Sequence, residues 1–563
     1  MRALFVAALL ALAVNAHAAE GPIQAAMRAE MRRTTARLKM AGLGKPYFLS
    51  YRVRDSADTS LSATFGALRA PYDARNRAAI VDLRLGGREF DQTHYVASGQ
   101  WDYRPFSADM PLDDDVDALR YGLWSLTDKA YKNAAEKLAQ KTAYKNAKHI
   151  ADKIADLSQE TVSSFPPQSS AVPAFDRTAW EGVIRRLSMV FRRYPLIQLS
   201  SVYINGASRT EYFIDSEGRA AVHPSDQYEI ALEASAQGPD GLAIQDNRRF
   251  LRLNLAELPG EAELAAEAAH LAQELTNAAA APVMEPYLGP VLFEGQAAAE
   301  FFNQLFVRNI SSPRALWVED EGAKKYWPSG GLAGRLGLRA VSPLLDIEDD
   351  PGLEKWEGIP LAGRYAVDDE AIPARKVILA REGMLQDVLM SRSPIKERKT
   401  SNGHGRAGGG EFTVGRPGNV IIRADQGASQ EALEKDLRRR AGEFGLTYGM
   451  LITRLGDEDS LEDTDVLAEP IVAHKVYVAD GRKEQVRGAD FSGVTLRALR
   501  DIVAASKKSE VYNFYHLGPY RYSRSTVPAS IVAPSVLISE MEMKKTDKKP
   551  TRPPYLPHPS FVR

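Results

Sequence analysis

The side chains best suited to binding a metal are scarce in this sequence. There are nine histidines (His17, His94, His149, His223, His270, His404, His474, His516 and His558), and no two stand four residues apart. A two-histidine zinc face on one helix, as in HExxH, is therefore excluded. Glu267, His270 and Glu274 share one face of a predicted helix. That spacing is open to a carboxylate-bridged metal, and it is also the ordinary pattern of an exposed Glu/Ala-rich helix. Cysteine is absent altogether, which removes disulfides, thiolate zinc sites, iron–sulfur clusters and a thiol nucleophile together. Neither a GxSxG elbow nor a Walker A loop occurs. Two acidic groups, Asp346/Glu348/Asp349/Asp350 and Asp368/Asp369/Glu370, offer oxygen ligands, but without EF-hand spacing they read first as turn and cap residues. The most unusual segment is Ser401 to Gly410 (SNGHGRAGGG), with five glycines in eight positions. Such a loop either lets a peptide or another backbone approach closely or is a mobile surface loop. In the first case Asn402, Gly403, His404 and Arg406 are the substrate-binding candidates. It lacks the strand–GxGxxG–helix setting of a dinucleotide site.

The elements that must position these residues belong to a chain of 563 residues, 44% hydrophobic and 26% charged, with 72 Lys+Arg against 73 Asp+Glu. This composition excludes a disordered chain, a collagen and a coiled-coil rod, and the length suggests two to four domains. A net charge of −1 gives no electrostatic case for nucleic acid. Met1 to Ala18 reads as a signal peptide: Arg2, the apolar run Leu4 to Val14, then Ala16-His17-Ala18 as a small-x-small cleavage site after Ala18. The run is too short to span a bilayer. The mature chain is therefore expected to be periplasmic or secreted, with no stable membrane insertion.

Apolar spacing predicts a helix over residues 22–41 and another after the Asp113–Asp117 cluster. On the second, Leu119, Leu123, Leu126, Ala130, Ala134 and Leu138 line one face, while Lys129, Lys132, Lys137, Lys141 and Lys145 sit mostly on its solvated surface. Further helices are predicted near Ala179 and over 261–279, beyond a Pro166/Pro167/Ser169/Ser170 loop. Between them lies a run of β-hairpins with turns at Asn205-Gly206, Glu217-Gly218 and Pro239-Asp240-Gly241. Ala278 to Pro282 reads as a hinge. A buried strand then passes into a helix near Gln296, and strands dominate the remainder. The expected fold is α+β: an N-terminal helix/strand region (19–280, with a subdomain split near 105–165) and a strand-rich, mostly antiparallel C-terminal domain (281–543). A Pro/Lys-rich tail (544–563) is expected to be disordered.

Several stretches in this order resemble the TldD/PmbA family, also called modulator of DNA gyrase or TldD/TldE metallopeptidases. They are Gly289-Pro-Val-Leu-Phe-Glu-Gly-Gln-Ala-Ala-Ala-Glu300, Val341-Ser-Pro-Leu-Leu-Asp346, Asp368-Asp-Glu-Ala-Ile-Pro-Ala-Arg375 and Val527-Pro-Ala-Ser-Ile-Val-Ala-Pro-Ser-Val-Leu537, and the match covers roughly residues 180–543. The resemblance implies a peptidase made of a zinc-bearing TldD-type subunit, with an HExxxH helix and a later cysteine, and a TldE (PmbA) type subunit lacking both. Laid on Phe293 to Ala298, the motif keeps only Glu294, and Phe293 and Ala298 replace the two histidines. The resemblance thus points to the metal-free branch, with no cofactor expected in this chain and zinc supplied only by a TldD-like partner. On that reading Glu294 is a vestigial catalytic carboxylate near a peptide chamber lined by the Gly403–Gly410 loop. The implied partners are a TldD-like subunit or a second copy, and a peptide substrate. The alternatives are a self-sufficient metallopeptidase using His404 with nearby carboxylates, or a non-enzymatic periplasmic peptide-binding scaffold.

Overall fold

Period-two alternation builds the first half of the molecule. In the computed structural model, which describes residues 20–40, 44–100, 103–166, 175–457, 467–518, 520, 525–556 and 558–561, an eight-stranded sheet forms its centre. Its main strands run in the order Ala243–Arg252, Gln227–Gln237, Ile197–Asp215, Phe48–Thr64, Tyr72–Arg84 and Phe106–Asp109, every neighbouring pair antiparallel. On Phe48–Thr64 the buried apolar residues Leu49, Tyr51, Val53, Leu61 and Ala63 all point to one face. Helices Pro22–Arg37 and Val116–Ala147 cover one end of that face, and Arg177–Met189 and Glu261–Ala280 cover the other. Arg52, Arg54, Glu211 and Glu229 occupy the opposite face, which is turned towards the second half. Arg52 donates to Asp369 O at 2.9 Å and to Thr413 Oγ1 at 2.8 Å.

The second half is an eleven-stranded sheet crossed by the 20-residue strand Thr526–Lys545. Among its paired strands, only Tyr287–Phe293 with Tyr448–Leu455 and Asn419–Ala424 with Thr526–Lys545 run parallel. Tyr287–Phe293 is apolar on both faces because helices cover both. Val291 and Phe293 meet helix Gln296–Phe302, while Leu292 meets Leu433 and Leu437 of helix Gln430–Glu443. The fold is α+β with a mostly antiparallel C-terminal part, as the strand pattern implied.

Four local expectations change. Asn205-Gly206 is not a turn; one 19-residue strand, Ile197–Asp215, runs straight through it. At Gly206 a Cβ would lie 3.3 Å from the Tyr228 ring, a tight approach that the glycine avoids. Lys141 leaves the solvated helix face: it is 1% exposed, and its Nζ lies 2.7 Å from Asp156 Oδ2. The Ala278–Pro282 hinge is pinned, since Arg487 N donates to Pro282 O at 3.0 Å and Arg487 Nε to Ala281 O at 2.8 Å. In the tail, Thr551 N donates to Gly241 O at 2.9 Å, so that segment lies along the N-terminal sheet. The signal-peptide segment and, of the expected Pro166/Pro167/Ser169/Ser170 loop, all but Pro166 fall outside the described residues. No described helix is long and apolar enough to cross a membrane.

Candidate functional site

Glu294 follows the last residue of strand Tyr287–Phe293, and its amide donates to Ile452 O at 2.9 Å. Its half-buried carboxyl faces helix Gln430–Glu443. Burial raises its pKa, Lys483 opposes the rise, Glu434 adds to it and a Gln430 hydrogen bond lowers it. Phe293 is fully buried against Phe301 and Phe491, with ring centroids 4.8 and 6.1 Å away, and Ala298 is equally buried. Phe293, Glu294 and Ala298 thus span a strand end, a turn at Gly295 (φ 61°) and a helix start, not one face of a helix. The resemblance lays the metal motif on these three residues, of which only Ala298 stands in a helix.

The glycine-rich segment is packed into the protein rather than exposed. His404 is 0% exposed, with Nε2 3.3 Å from Asp349 Oδ1 and Nδ1 3.2 Å from Asn402 O. Asn402 Nδ2 donates to Val388 O at 2.8 Å, and Asn402 Oδ1 accepts from Met390 N at 2.9 Å. Gly403 has φ 79°, and a Cβ there would meet Pro373 O at 2.3 Å, so only glycine fits. Arg406 donates to Pro417 O and Pro528 O at 2.6 and 2.7 Å and lies over the Tyr365 ring. The acidic groups serve the same loop: Asp368 and Asp369 accept from the amides of Gly405 (2.9 Å) and Ala407 (2.6 Å). These residues share no neighbour with Glu294. Glu274 and Glu267 are likewise committed, both pairing with Arg248.

What the structure brings together lies further along the central helix. Gln296–Phe302 continues into a π turn, Asn303–Val307, where Arg308 N donates back to Asn303 O. Single π turns of this kind recur at functional sites. Asn303 and Gln304, 4% and 2% exposed, line a cleft of 160 Å³ between the polar face of the first sheet (Glu229, Arg249) and strand Ile502–Leu517 of the second. Behind it, Arg454 joins the two halves, meeting Asp246 at 3.0 Å and Glu300 at 2.8 Å. Burial pushes Glu300 up to about 8 against the pull of Arg454. Burial also raises Glu229.

Residues 287–545 match the family profile described as the PmbA/TldA metallopeptidase C-terminal domain. That C-terminal stretch carries the TldD/PmbA family match. It is 28% identical over 190 residues to a metalloprotease of Archaeoglobus fulgidus, an alignment spanning 34% of this chain and 40% of that relative. The crystal structure of a putative modulator of DNA gyrase from Thermotoga maritima superposes with a TM-score of 0.59 at 16% identity, covering 92% of this chain and 99% of that one. TldE from Thermococcus kodakarensis gives 0.57 at 15% identity, with 92% and 99% covered. These two structures show the shared fold.

Residues spaced i and i+5 can stand on one side of a helical segment. An α-helix does not provide this, because its ~3.6 residues per turn separate i from i+5, whereas a π turn stacks them. The one π turn among the described helices places Asn303 and Arg308 in that spacing, with Gln304 beside Asn303. Gln304 is already engaged, donating to Gly456 O at 2.9 Å and accepting from Ala468 N at 2.7 Å. Arg308 brings a positive charge and, with burial, Arg416 and Arg406, pushes His516 well below the usual imidazole range. Phe293 and Ala298, where the resemblance lays the motif's two histidines, offer no lone pair, and no cysteine exists to add a ligand. The residues present do not fit the family's metal.

Proposed function

We propose that this chain is the metal-free, TldE-like subunit of an exported, peptide-degrading pair whose zinc belongs to a TldD-like partner. The observation that carries the reading is the residue set where the resemblance lays the metal motif: Phe293 and Ala298 offer no lone pair, and the chain has no cysteine. The near full-length likeness to TldE and the relative named a metalloprotease support it. Export rests on the Met1–Ala18 segment. The subunit contributes a chamber wall: the cleft beside the π turn is smaller than the ~300–1,000 Å³ of ordinary ligand pockets, so it takes one side chain or terminus of a peptide. The self-sufficient metallopeptidase reading has little to build on. His404 meets one carboxylate, Asp349, which already accepts from Gly418 N and Asn419 N at 2.9 and 3.0 Å. Among the described residues no group of three or more His, Asp or Glu is placed to hold a metal. Purification of the tagged chain from its own host tests the proposal. The expected result is a co-purifying zinc-bearing homologue and zinc-dependent peptide hydrolysis by the pair. A chain recovered alone that binds peptide without turnover supports the scaffold reading instead.

A further inference from the structure

A second, narrower pocket lies where the Phe90–His94 segment, beyond strand Tyr72–Arg84, meets the loops of the C-terminal half. His94, Ser393, Ser312, Arg314 and Arg84 line it, and its 20 Å³ accommodates about one water. Two of these residues are non-glycines in the left-handed region, His94 at φ 58° and Ser312 at φ 48°, a conformation that side chains rarely adopt without cause. Ser312 Oγ and Arg314 Nε are buried there and, among the described residues, neither has a hydrogen-bond partner.

The histidine is held on three sides. Its amide donates to the Tyr103 hydroxyl at 2.9 Å, Nδ1 lies 3.2 Å from Asp156 Oδ1, and Nε2 lies 3.0 Å from Ser393 Oγ. Thr93 Oγ1 also approaches Nδ1, at 3.0 Å, but its proton is committed to Asp91 Oδ1 at 2.6 Å. Nδ1 therefore carries the proton and gives it to Asp156, leaving the Nε2 lone pair for the Ser393 hydroxyl. Burial alone would raise Asp156, but hydrogen bonds from His94 and Lys141 hold it below the usual carboxylate range. Asp91 N (2.8 Å) and Arg314 (3.2 Å) complete its shell. Ser393 opens a Ser-Pro-Ile-Lys spelling, but Lys396 is exposed and the base in reach is His94.

We propose that Ser393, His94 and Asp156 act as nucleophile, base and orienting group of a metal-independent acyl transfer on small activated esters. These roles are recognised by geometry rather than by chain position. Ser393 Oγ adds to the ester carbonyl carbon while its proton moves to His94 Nε2. The oxyanion formed faces Arg314. The bond to the leaving oxygen then breaks as His94 returns that proton to the departing alkoxide. A water, for which the pocket has room, adds to the acyl-serine through the same base, releasing the acid and restoring Ser393. The narrow pocket restricts the acyl group to acetyl-like size. The activity does not depend on the TldE-like assignment.

Methanesulfonyl fluoride, whose methyl group is acetyl-sized, is the probe on the purified full chain: a Ser393 Oγ–sulfur bond forms, fluoride leaves and the serine proton passes through His94 to water. The expected result is one label per chain, mapped to Ser393 and unaffected by chelator. Ser393→Ala, which loses a single hydrogen bond, abolishes it with an unchanged melting temperature. His94→Gln slows labelling by about a hundredfold or more. Burial, reinforced by Arg314 and Lys141 against the pull of Asp156, pushes His94 down to about 3, so the labelling rate does not fall between pH 7 and pH 5. Absence of label at Ser393, an equal rate in Ser393→Ala, or a Ser393 label indifferent to His94→Gln overturns the proposal. The last two outcomes mark a structural hydrogen-bond network.

Discussion

Phe293 and Lys141 show how a residue's environment decides its role. Phe293 occupies a position read as a lost zinc ligand, yet its ring is stacked on Phe491 and tilted against Phe301 in the largest core of the molecule. Phe293→Ala is therefore expected to cost about 3–5 kcal/mol, the range for truncating a buried aromatic, read as a lowered urea midpoint at unchanged slope. A loss under about 1 kcal/mol would mean that the site tolerates change, as a vestigial ligand position does. Lys141 was legible as a helix residue but not as a buried one, because its partner Asp156 is brought to it by the fold. The same holds for the Asn402–Arg406 loop. Its glycines were readable as a demand for close backbone approach, and the structure supplies the approach: the Pro373 carbonyl against Gly403. That the approaching group is the protein's own backbone depends on how the Val367–Pro373 turn, earlier in the chain, is folded against the loop.

Element by element, the long amphipathic helices were the most legible. Leu119, Leu123, Leu126, Ala130 and Ala134 are the buried face of Val116–Ala147, as their spacing implies. Strand ends were less so. An Asn-Gly pair reads as a hairpin turn, but between two long neighbours Ile197–Asp215 gains more from unbroken pairing, and Asn205-Gly206 stays extended. The π turn left no local mark at all, since nothing in Asn303 to Val307 departs from an ordinary helix sequence. Its importance is testable. Installing imidazoles at the stacked positions, Asn303→His with Arg308→His, is expected to give a chain that takes up zinc in a calorimetric titration, while the parent does not. No uptake by the folded double variant would mean that the π turn does not bring these two positions together.

At the scale of the whole molecule, two sheets meet across a polar seam, and three histidines, His94 and His516 buried and His474 half-buried, are pushed towards the neutral form. His94 is pushed down to about 3. Burial also lowers His474, with Lys483 adding to it, and burial with nearby arginines lowers His516 further. Below the ordinary imidazole value of 6.5, the unfolded chain accepts protons that the folded chain refuses. Stability from these groups is complete above that pH and is lost as pH falls towards the folded values, by up to about 1.4 kcal/mol per pH unit for each histidine. Urea midpoints from pH 7 to pH 4.5 are expected to decline accordingly, and His94→Gln to flatten the decline. A midpoint independent of pH would contradict this burial. The two-sheet α+β architecture was legible in outline because strand and helix periodicities are local. The seam was not, because it depends on which polar faces meet. The central claim is that the catalytic metal is not this chain's own, and zinc analysis of the purified chain after zinc exposure and dialysis tests it most directly, alongside peptide hydrolysis with and without the co-purifying homologue. The expected result is a lone chain with far less than one equivalent of zinc and no zinc-dependent hydrolysis, both appearing with the partner. A lone chain that retains about one zinc and cleaves peptides would contradict it.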